Sequence, residues 1–291
     1  SRFWSAHGHM NVGRRTLETA LRIKGGDPLS ESRAAALVRA ASLALIEGDH
    51  GSAAPLLEES LTLSRARGDK KGIARALSGL SVMAQLRGDY ETARTTGEEG
   101  HRLYVELGGD RGIALSVHNL AYTAQCEGKL DEAMSRYKEV LPLLRKVGDM
   151  GHVALTLANL GAVSIRMGDL KSARVALREG LELARSLGSL REAATAADGT
   201  AELALHSGDP RRAARLLGSA EKLREEISYP LLPAELQSRQ TLMDQIGKEI
   251  TAEELNSELV TGRGMGFEAA QRLALEILDS PDPSATPNSE S

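Results

Sequence analysis

The chain carries seven histidines, one cysteine and 40 carboxylate side chains, enough in type for metal, thiol or acid–base chemistry. Their spacing removes most of it. His7-Gly8-His9 is the one close histidine pair. It flanks a glycine with no Cys or carboxylate beside it, short of the three or four ligands a zinc site needs, and reads as two solvated imidazoles. The remaining histidines, His50, His101, His118, His152 and His206, are scattered, and the HExxH spacing is absent. Cys126 has no second cysteine to pair with. A reducing cytoplasm is therefore the natural compartment, and Cys126 reads as a small wall or core residue rather than a redox sensor. No GxxxxGK[ST] loop occurs. Gly262-Arg263-Gly264-Met265-Gly266 follows a helical segment rather than a strand and reads as a flexible joint. Nothing resembles a nucleophile elbow. The expectation is a chain that is not an enzyme and needs no cofactor or metal.

What remains is binding chemistry, and it recurs in register. Arg39, Asn119 and Asn159 occupy positions separated by multiples of 40, as do Tyr122 and Glu202, and Arg166 and His206. An Asn amide both donates and accepts, a Tyr ring offers a stacking surface, and an Arg fork pairs with carboxylates. The elements that place these residues follow from a second regularity. Glycines recur at Gly8, Gly48, Gly88, Gly128, Gly168 and Gly208, and midway between them at Gly68, Gly108, Gly148 and Gly188. Many precede Asp, as in Gly48-Asp49, Gly88-Asp89 and Gly168-Asp169. Glycine closes one helix in the left-handed region and Asp caps the next, so each 40-residue unit holds two antiparallel helices of about 16–18 residues. Between joints the apolar residues keep helical spacing, as in Ile113, Val117, Leu120 and Ala124. Second helices carry a small residue at Ala53, Ala93, Ala133, Ala173 and Ala213. Four residues on stand Leu57, Gly97, Tyr137, Leu177 and Leu217, bulky except for Gly97. Pro142 falls inside a second helix, where a local kink is expected, and Pro55 falls near a helix start, where it costs less. Gly25-Gly26-Asp27-Pro28 is a longer joint than the others.

Composition agrees. Two Phe, one Trp and five Tyr leave the core to Ala and Leu, which suits closely packed helices, and no stretch alternates with period 2. A net charge of -4, from 36 basic and 40 acidic residues, lacks the footprint of a dedicated nucleic-acid binder. No apolar run approaches the roughly 20 residues of a membrane span. The opening Ser1-Arg2-Phe3-Trp4 is not a signal peptide. The missing initiator Met and the partial unit before Gly8 lead to the expectation of a longer protein upstream.

Leu-Gly, then Gly-Asp-Tyr, then Ala is the order found in tetratricopeptide repeats. Asn159-Leu160-Gly161 with Gly168-Asp169-Leu170 and Ala173 resembles it, as does Leu80 with Gly88-Asp89-Tyr90 and Ala93. The resemblance covers roughly 1–227 and implies an all-α fold: a right-handed superhelical solenoid of antiparallel helix pairs. After Ile227 the period stops. Pro230 and Pro233 form a turn before two or three shorter helices, with Thr251 and Glu254 as a capping box and Phe267 to Leu278 as a last amphipathic helix. The expected organisation is a repeat array at 1–227, a short helical C-terminal cap at 228–279, and a disordered tail at 280–291. Arg212-Ala213-Ala214-Arg215-Leu216-Leu217-Gly218, Pro230-Leu231-Leu232-Pro233 and Gly262-Arg263-Gly264-Met265, with Trp4, Gly8-His9 and Gly13-Arg14-Arg15 at the start, resemble the C-terminal repeat region of bacterial signal-transduction ATPases and LuxR-type transcriptional regulators. That resemblance implies a sensor or scaffold role, without the ATPase or DNA-binding activity of other domains.

In such repeats the first helices line a concave groove. By register it includes Arg39, Gly79, Asn119, Asn159 and Gly199, then Ser42, Val82, Tyr122, Ala162 and Glu202, then Ile46, Leu86, Cys126, Arg166 and His206. The resemblance implies that an Asn at this place holds the backbone of an extended peptide; the residues alone equally allow Asn119 and Asn159 to bond a neighbouring helix or loop. The partner expected is a protein or peptide segment, other domains of the same protein included, with no membrane and no direct nucleic-acid contact. The alternative is a structural or autoinhibitory scaffold that self-associates and takes no separate ligand.

Overall fold

The computed structural model describes residues 30–227 and 229–280, with 16, 17, 19 and 21 before them. His7, Gly8, His9, the Gly25–Pro28 joint and the tail from 281 lie outside the described residues. Between 30 and 280 the described residues form thirteen helices: α1 (Glu31–Ile46), α2 (His50–Ala66), α3 (Lys70–Leu86), α4 (Tyr90–Leu107), α5 (Asp110–Cys126), α6 (Leu130–Lys146), α7 (Met150–Arg166), α8 (Leu170–Leu187), α9 (Leu190–His206), α10 (Pro210–Glu226), α11 (Pro233–Glu249), α12 (Ala252–Arg263) and α13 (Phe267–Asp279). They pack as two compact units. One runs up to Lys129 and takes in 229–233; the other holds Leu130–Ile227 and the chain from Ala234.

Helices α1–α10 are 16 to 18 residues long, as the 40-residue period requires. Their joints are made as the glycine series predicts, and Gly168 shows how. Its φ of 81° is open to glycine and strained for any other residue. The Gly168 N–H donates to the Ile165 carbonyl at 2.9 Å and the Asp169 N–H to the Ser164 carbonyl at 2.9 Å, closing α7. The Asp169 carboxylate then accepts from the Ser172 N–H at 3.0 Å and opens α8. Hydrogen bonds from the Ser172 hydroxyl and amide hold this carboxyl below the usual range. The same cap recurs at Asp49, Asp69, Asp89, Asp149 and Asp209. Helix α6 runs on through Pro142 to Lys146. The carbonyl this proline leaves without a donor, that of Lys138, belongs to an exposed residue that water can reach.

The core is built on small residues. Ala53, Ala93, Ala133, Ala173 and Ala213 are each 0% exposed, so neighbouring backbone comes close at every one of them. Leu57, Tyr137, Leu177 and Leu217 are buried beside them. Gly97 breaks that series for a reason visible in the packing. A Cβ at Gly97 would lie 3.0 Å from Leu120 Cδ2 and 3.1 Å from Ser81 Oγ, so residues of α5 and α3 already fill the space.

In the second unit the last three helices finish the array. Thr251 and Glu254 form the expected capping box, the Glu254 N–H donating to Thr251 Oγ1 at 3.2 Å and the Thr251 N–H to Glu254 Oε2 at 3.0 Å. Gly262 is not part of a loose joint. It lies buried at the end of α12, where a Cβ would overlap the Arg215 carbonyl of α10, while a Cβ on Gly218 of α10 would overlap the Leu259 carbonyl of α12. Backbone meets backbone there, and only glycine permits it. Helix α13 buries Leu273, Ala274, Ile277 and Leu278 in one core with Leu177 of α8, Leu216 and Leu217 of α10, and Leu242 and Ile246 of α11.

Surface charges cross between neighbouring second helices in a repeated register. Arg65 pairs with Glu99 in the first unit and Arg145 with Glu179 in the second, 34 residues apart each time. The next rung from Arg185 would fall on position 219, which is a buried Ser. Glu268 of α13 takes its place, 3.3 Å from Arg185. Arg174 also donates to the Ile277 carbonyl at 2.9 Å, and Arg178 pairs with Asp279.

Gly262→Ala should therefore lower stability by about 2 kcal/mol or more through forced separation of α10 and α12. Gly247→Ala, on an exposed stretch of α11 where a Cβ meets only Leu255 Cδ2 at 3.9 Å, should raise it by up to about 1 kcal/mol through helix propensity. Urea denaturation of the two variants checks this contrast, and equal shifts in the same direction would contradict it.

Candidate functional site

In the first unit Arg39 is exposed on α1, and Asn119, Tyr122 and Cys126 lie partly buried along one face of α5. Helix α5 is held in place by a polar cross-link that the sequence did not reveal. Gln85 of α3, only 5% exposed, donates from Nε2 to the Asn119 carbonyl at 2.9 Å and to Thr123 Oγ1 at 2.8 Å. Thr123 Oγ1 donates to the same carbonyl at 3.0 Å. The contacts at Asn119 thus engage its backbone. Its side-chain amide makes no hydrogen bond among the described residues.

In the second unit Asn159 of α7 is 7% exposed, and its amide likewise has no hydrogen bond among the described residues. Gly79 and Gly199, at the same register position, are packing residues: a Cβ there would fall 2.5 Å from Leu57 Cδ2 and 2.7 Å from Leu177 Cδ2 respectively. Arg166 is exposed at the end of α7, and His206 is exposed at the end of α9. Glu202 is partly buried one turn before His206, and Asp198 one turn before that, so three titratable side chains share a face of α9.

Asp198 is the member that sequence register did not select, and it is the most heavily engaged. Arg224 of α10 pairs with its Oδ2, and Arg239 of α11 approaches its Oδ1 at 3.5 Å. Both guanidinium groups are buried, with side chains 8% and 12% exposed. Arg239 also donates to the Leu217 carbonyl at 3.1 Å and pairs with Glu221 at 3.2 Å. Glu221 in turn meets Arg263 of α12 at 3.0 Å. Burial pushes the Glu202 carboxyl up to about 7; Arg166 pulls it down and Asp198 pushes it further up. Among the described residues no group of three or more His, Cys, Asp or Glu side chains is placed to hold a metal. No described helix is long and apolar enough to cross a membrane.

The tetratricopeptide repeat family model matches residues 32–106 and 72–146, and a second tetratricopeptide repeat model matches 153–188. The chain belongs to the tetratricopeptide repeat family. No curated protein sequence matches it. Among solved structures, BtubC from P. vanneervenii is 21% identical, with a TM-score of 0.57 over 76% of this chain and 92% of that one. A Rap protein complexed with competence and sporulation factor is 12% identical, with a TM-score of 0.68 over 95% of this chain and 73% of that one. A signal transduction ATPase with numerous domains from Pyrococcus horikoshii, carrying a tetratricopeptide repeat sensor, is 15% identical, with a TM-score of 0.54. The alignment covers 92% of this chain and 43% of that protein. At these identities the likeness is one of fold.

Within the tetratricopeptide repeats, then, each unit carries its own part of the candidate surface: Arg39, Asn119 and Tyr122 in the first, Asn159, Arg166, Glu202 and His206 in the second. Gln85 and Asp198 were the residues missed. Asp198 had one sequence signal, its i, i+4 spacing to Glu202. Gln85 had none.

A carboxyl whose folded pKa lies above its unfolded value binds its proton more tightly in the folded chain. The stability this gives is complete below the unfolded value of 4.5 and is lost as pH rises through about 7. Stability should therefore fall by about 3 kcal/mol between these limits in the wild type relative to Glu202→Gln. Urea unfolding at pH 5 and pH 8 measures the difference, and parallel pH profiles for the two proteins would contradict it.

Proposed function

We propose that this chain is a protein-interaction and sensing module, not an enzyme, whose first helices bind an extended peptide or protein segment. The observation that carries the reading is the pair of Asn amides, Asn119 on α5 and Asn159 on α7, each without a hydrogen bond among the described residues. A partly or largely buried amide with both a donor and an acceptor left over is matched by a peptide backbone, which offers one of each per residue. Tyr122 supplies a ring beside Asn119, and Arg166 a guanidinium on the same helix as Asn159. The Rap structure, solved with competence and sporulation factor, supports a ligand-binding role for a related fold.

The setting proposed is regulatory: the repeat region of a larger bacterial signalling or transcriptional regulator in the cytoplasm. It rests on the sequence resemblance at both ends of the array and on the fold shared with the sensor-bearing signal transduction ATPase.

The test is a peptide array probed with the full chain, followed by titration of the best binder. Asn119→Ala and Asn159→Ala should each weaken a peptide bound to its own unit about tenfold, the value of one or two backbone hydrogen bonds, with helicity by circular dichroism unchanged. A peptide whose affinity survives both substitutions would overturn the reading.

A further inference from the structure

Helix α13 lies in a groove made by α8, α9 and α10. It runs antiparallel to α8: Glu268 at its start is 3.3 Å from Arg185, and the Ile277 carbonyl near its end accepts from Arg174 at 2.9 Å. Phe267 packs against alanines of all three groove helices, and Ala274 and Leu278 continue the same stripe at helical spacing. The stripe position between Phe267 and Ala274 is held by Gln271. Gln271 is 3% exposed, and neither its Nε2 nor its Oε1 has a hydrogen-bond partner among the described residues. At the other end of the helix Arg174 Nε is also buried without one.

An apolar side chain of similar size would lose nothing in that seat. The Gln271 amide gives up its bonds to water when α13 docks and regains them when it leaves. Docking is therefore weakened about tenfold or more at this one residue. The Arg185–Glu268 and Arg178–Asp279 pairs lie at the surface, where ion pairs direct docking more than they strengthen it. Helix α12 can stay in place when α13 leaves. The Gly218–Gly262 crossing fastens α12 to α10, and Gly264, Met265 and Gly266 separate it from α13.

We propose that the α8–α9–α10 groove is a docking site for an amphipathic helix of a partner protein, and that α13 is its resident, imperfectly fitting occupant. The fitting helix carries an apolar residue where α13 has Gln271. It also carries a carboxylate three residues earlier for Arg185, a carboxylate eight residues later for Arg178, and C-terminal carbonyls for Arg174. This site takes a folded helix rather than the extended segment proposed for Asn119 and Asn159, and it does not depend on that assignment.

The probe is a fluorescent synthetic peptide of residues 267–280 carrying Gln271→Leu, added to the full chain. The wild-type chain should bind it. A chain that itself carries Gln271→Leu should bind it about tenfold more weakly, because its own α13 then competes better. A peptide that also carries Glu268→Lys and Asp279→Lys should bind the wild-type chain several-fold more weakly. Hydrogen exchange on the chain alone reads release directly: amides of residues 273–278 should exchange about tenfold or more faster than those of α9. Gln271→Leu should slow them about tenfold and leave α9 unchanged. Circular dichroism establishes that the variant is folded; if it is not, the wild-type exchange rates and the charge-reversed peptide still decide. No peptide binding to the wild-type chain, equal binding to both chains, or α13 amides that exchange no faster than those of α9 overturns the proposal. A wild-type dimer by light scattering that takes up no peptide would assign the groove to a second copy and overturn it as well.

Discussion

The fold depends on how closely one helix can approach another, and alanine sets that distance. Five second helices carry an alanine with no exposed surface at the same place. A larger side chain at any of them would push neighbouring backbone outward and carry the error into the rest of its unit, because repeat units contact only their neighbours. The glycine–aspartate joints serve the same end. Each turns the chain within three residues and satisfies the carbonyls of the helix that ends and the amides of the helix that begins. Helix spacing and helix length are thus held by two residue types with almost no side chain.

Close packing through small residues leaves little apolar surface for polar groups to interrupt, and the buried polar contacts that exist have identifiable work. Gln85 spans from α3 to the backbone of α5 and fixes the helix that carries Asn119 and Tyr122. Asp198 receives two buried guanidinium groups, one from a repeat helix and one from α11. An unpaired buried charge is costly, so each member of that cluster holds the others in place. The cluster joins the helix bearing Glu202 and His206 to the terminal helices. The α9 face that bears Glu202 and His206 and the terminal helices consequently share one electrostatic framework.

The end of the array is built by substitution. Where the next rung of the arginine–glutamate series would need a glutamate at 219, the chain has a buried serine, and Glu268 reaches Arg185 from α13. Apolar burial by α13 and the backbone-to-backbone crossing at Gly218 and Gly262 complete the closure. The final helices thereby supply contacts that a further repeat would have supplied, without repeating its sequence.

The sequence by itself determined the helices, their lengths, their joints and the alanine seam, because each depends on residue type at fixed local spacing and recurs every 40 residues. It also placed the capping box at Thr251 and the last amphipathic helix. Register alone could not separate positions that face a groove from those that face a partner helix, so Gly79 and Gly199 stood beside Asn119 and Asn159 until Leu57 and Leu177 were seen to fill the space against them. Gly262 read as a loose joint for a similar reason: what makes it rigid is Arg215, 47 residues away in the chain. Only the tertiary structure decided that Gln85 bonds a backbone carbonyl, that Arg224 and Arg239 converge on Asp198, and that burial raises the Glu202 carboxyl. Those facts depend on distance in space between residues far apart in sequence, and no local periodicity encodes them.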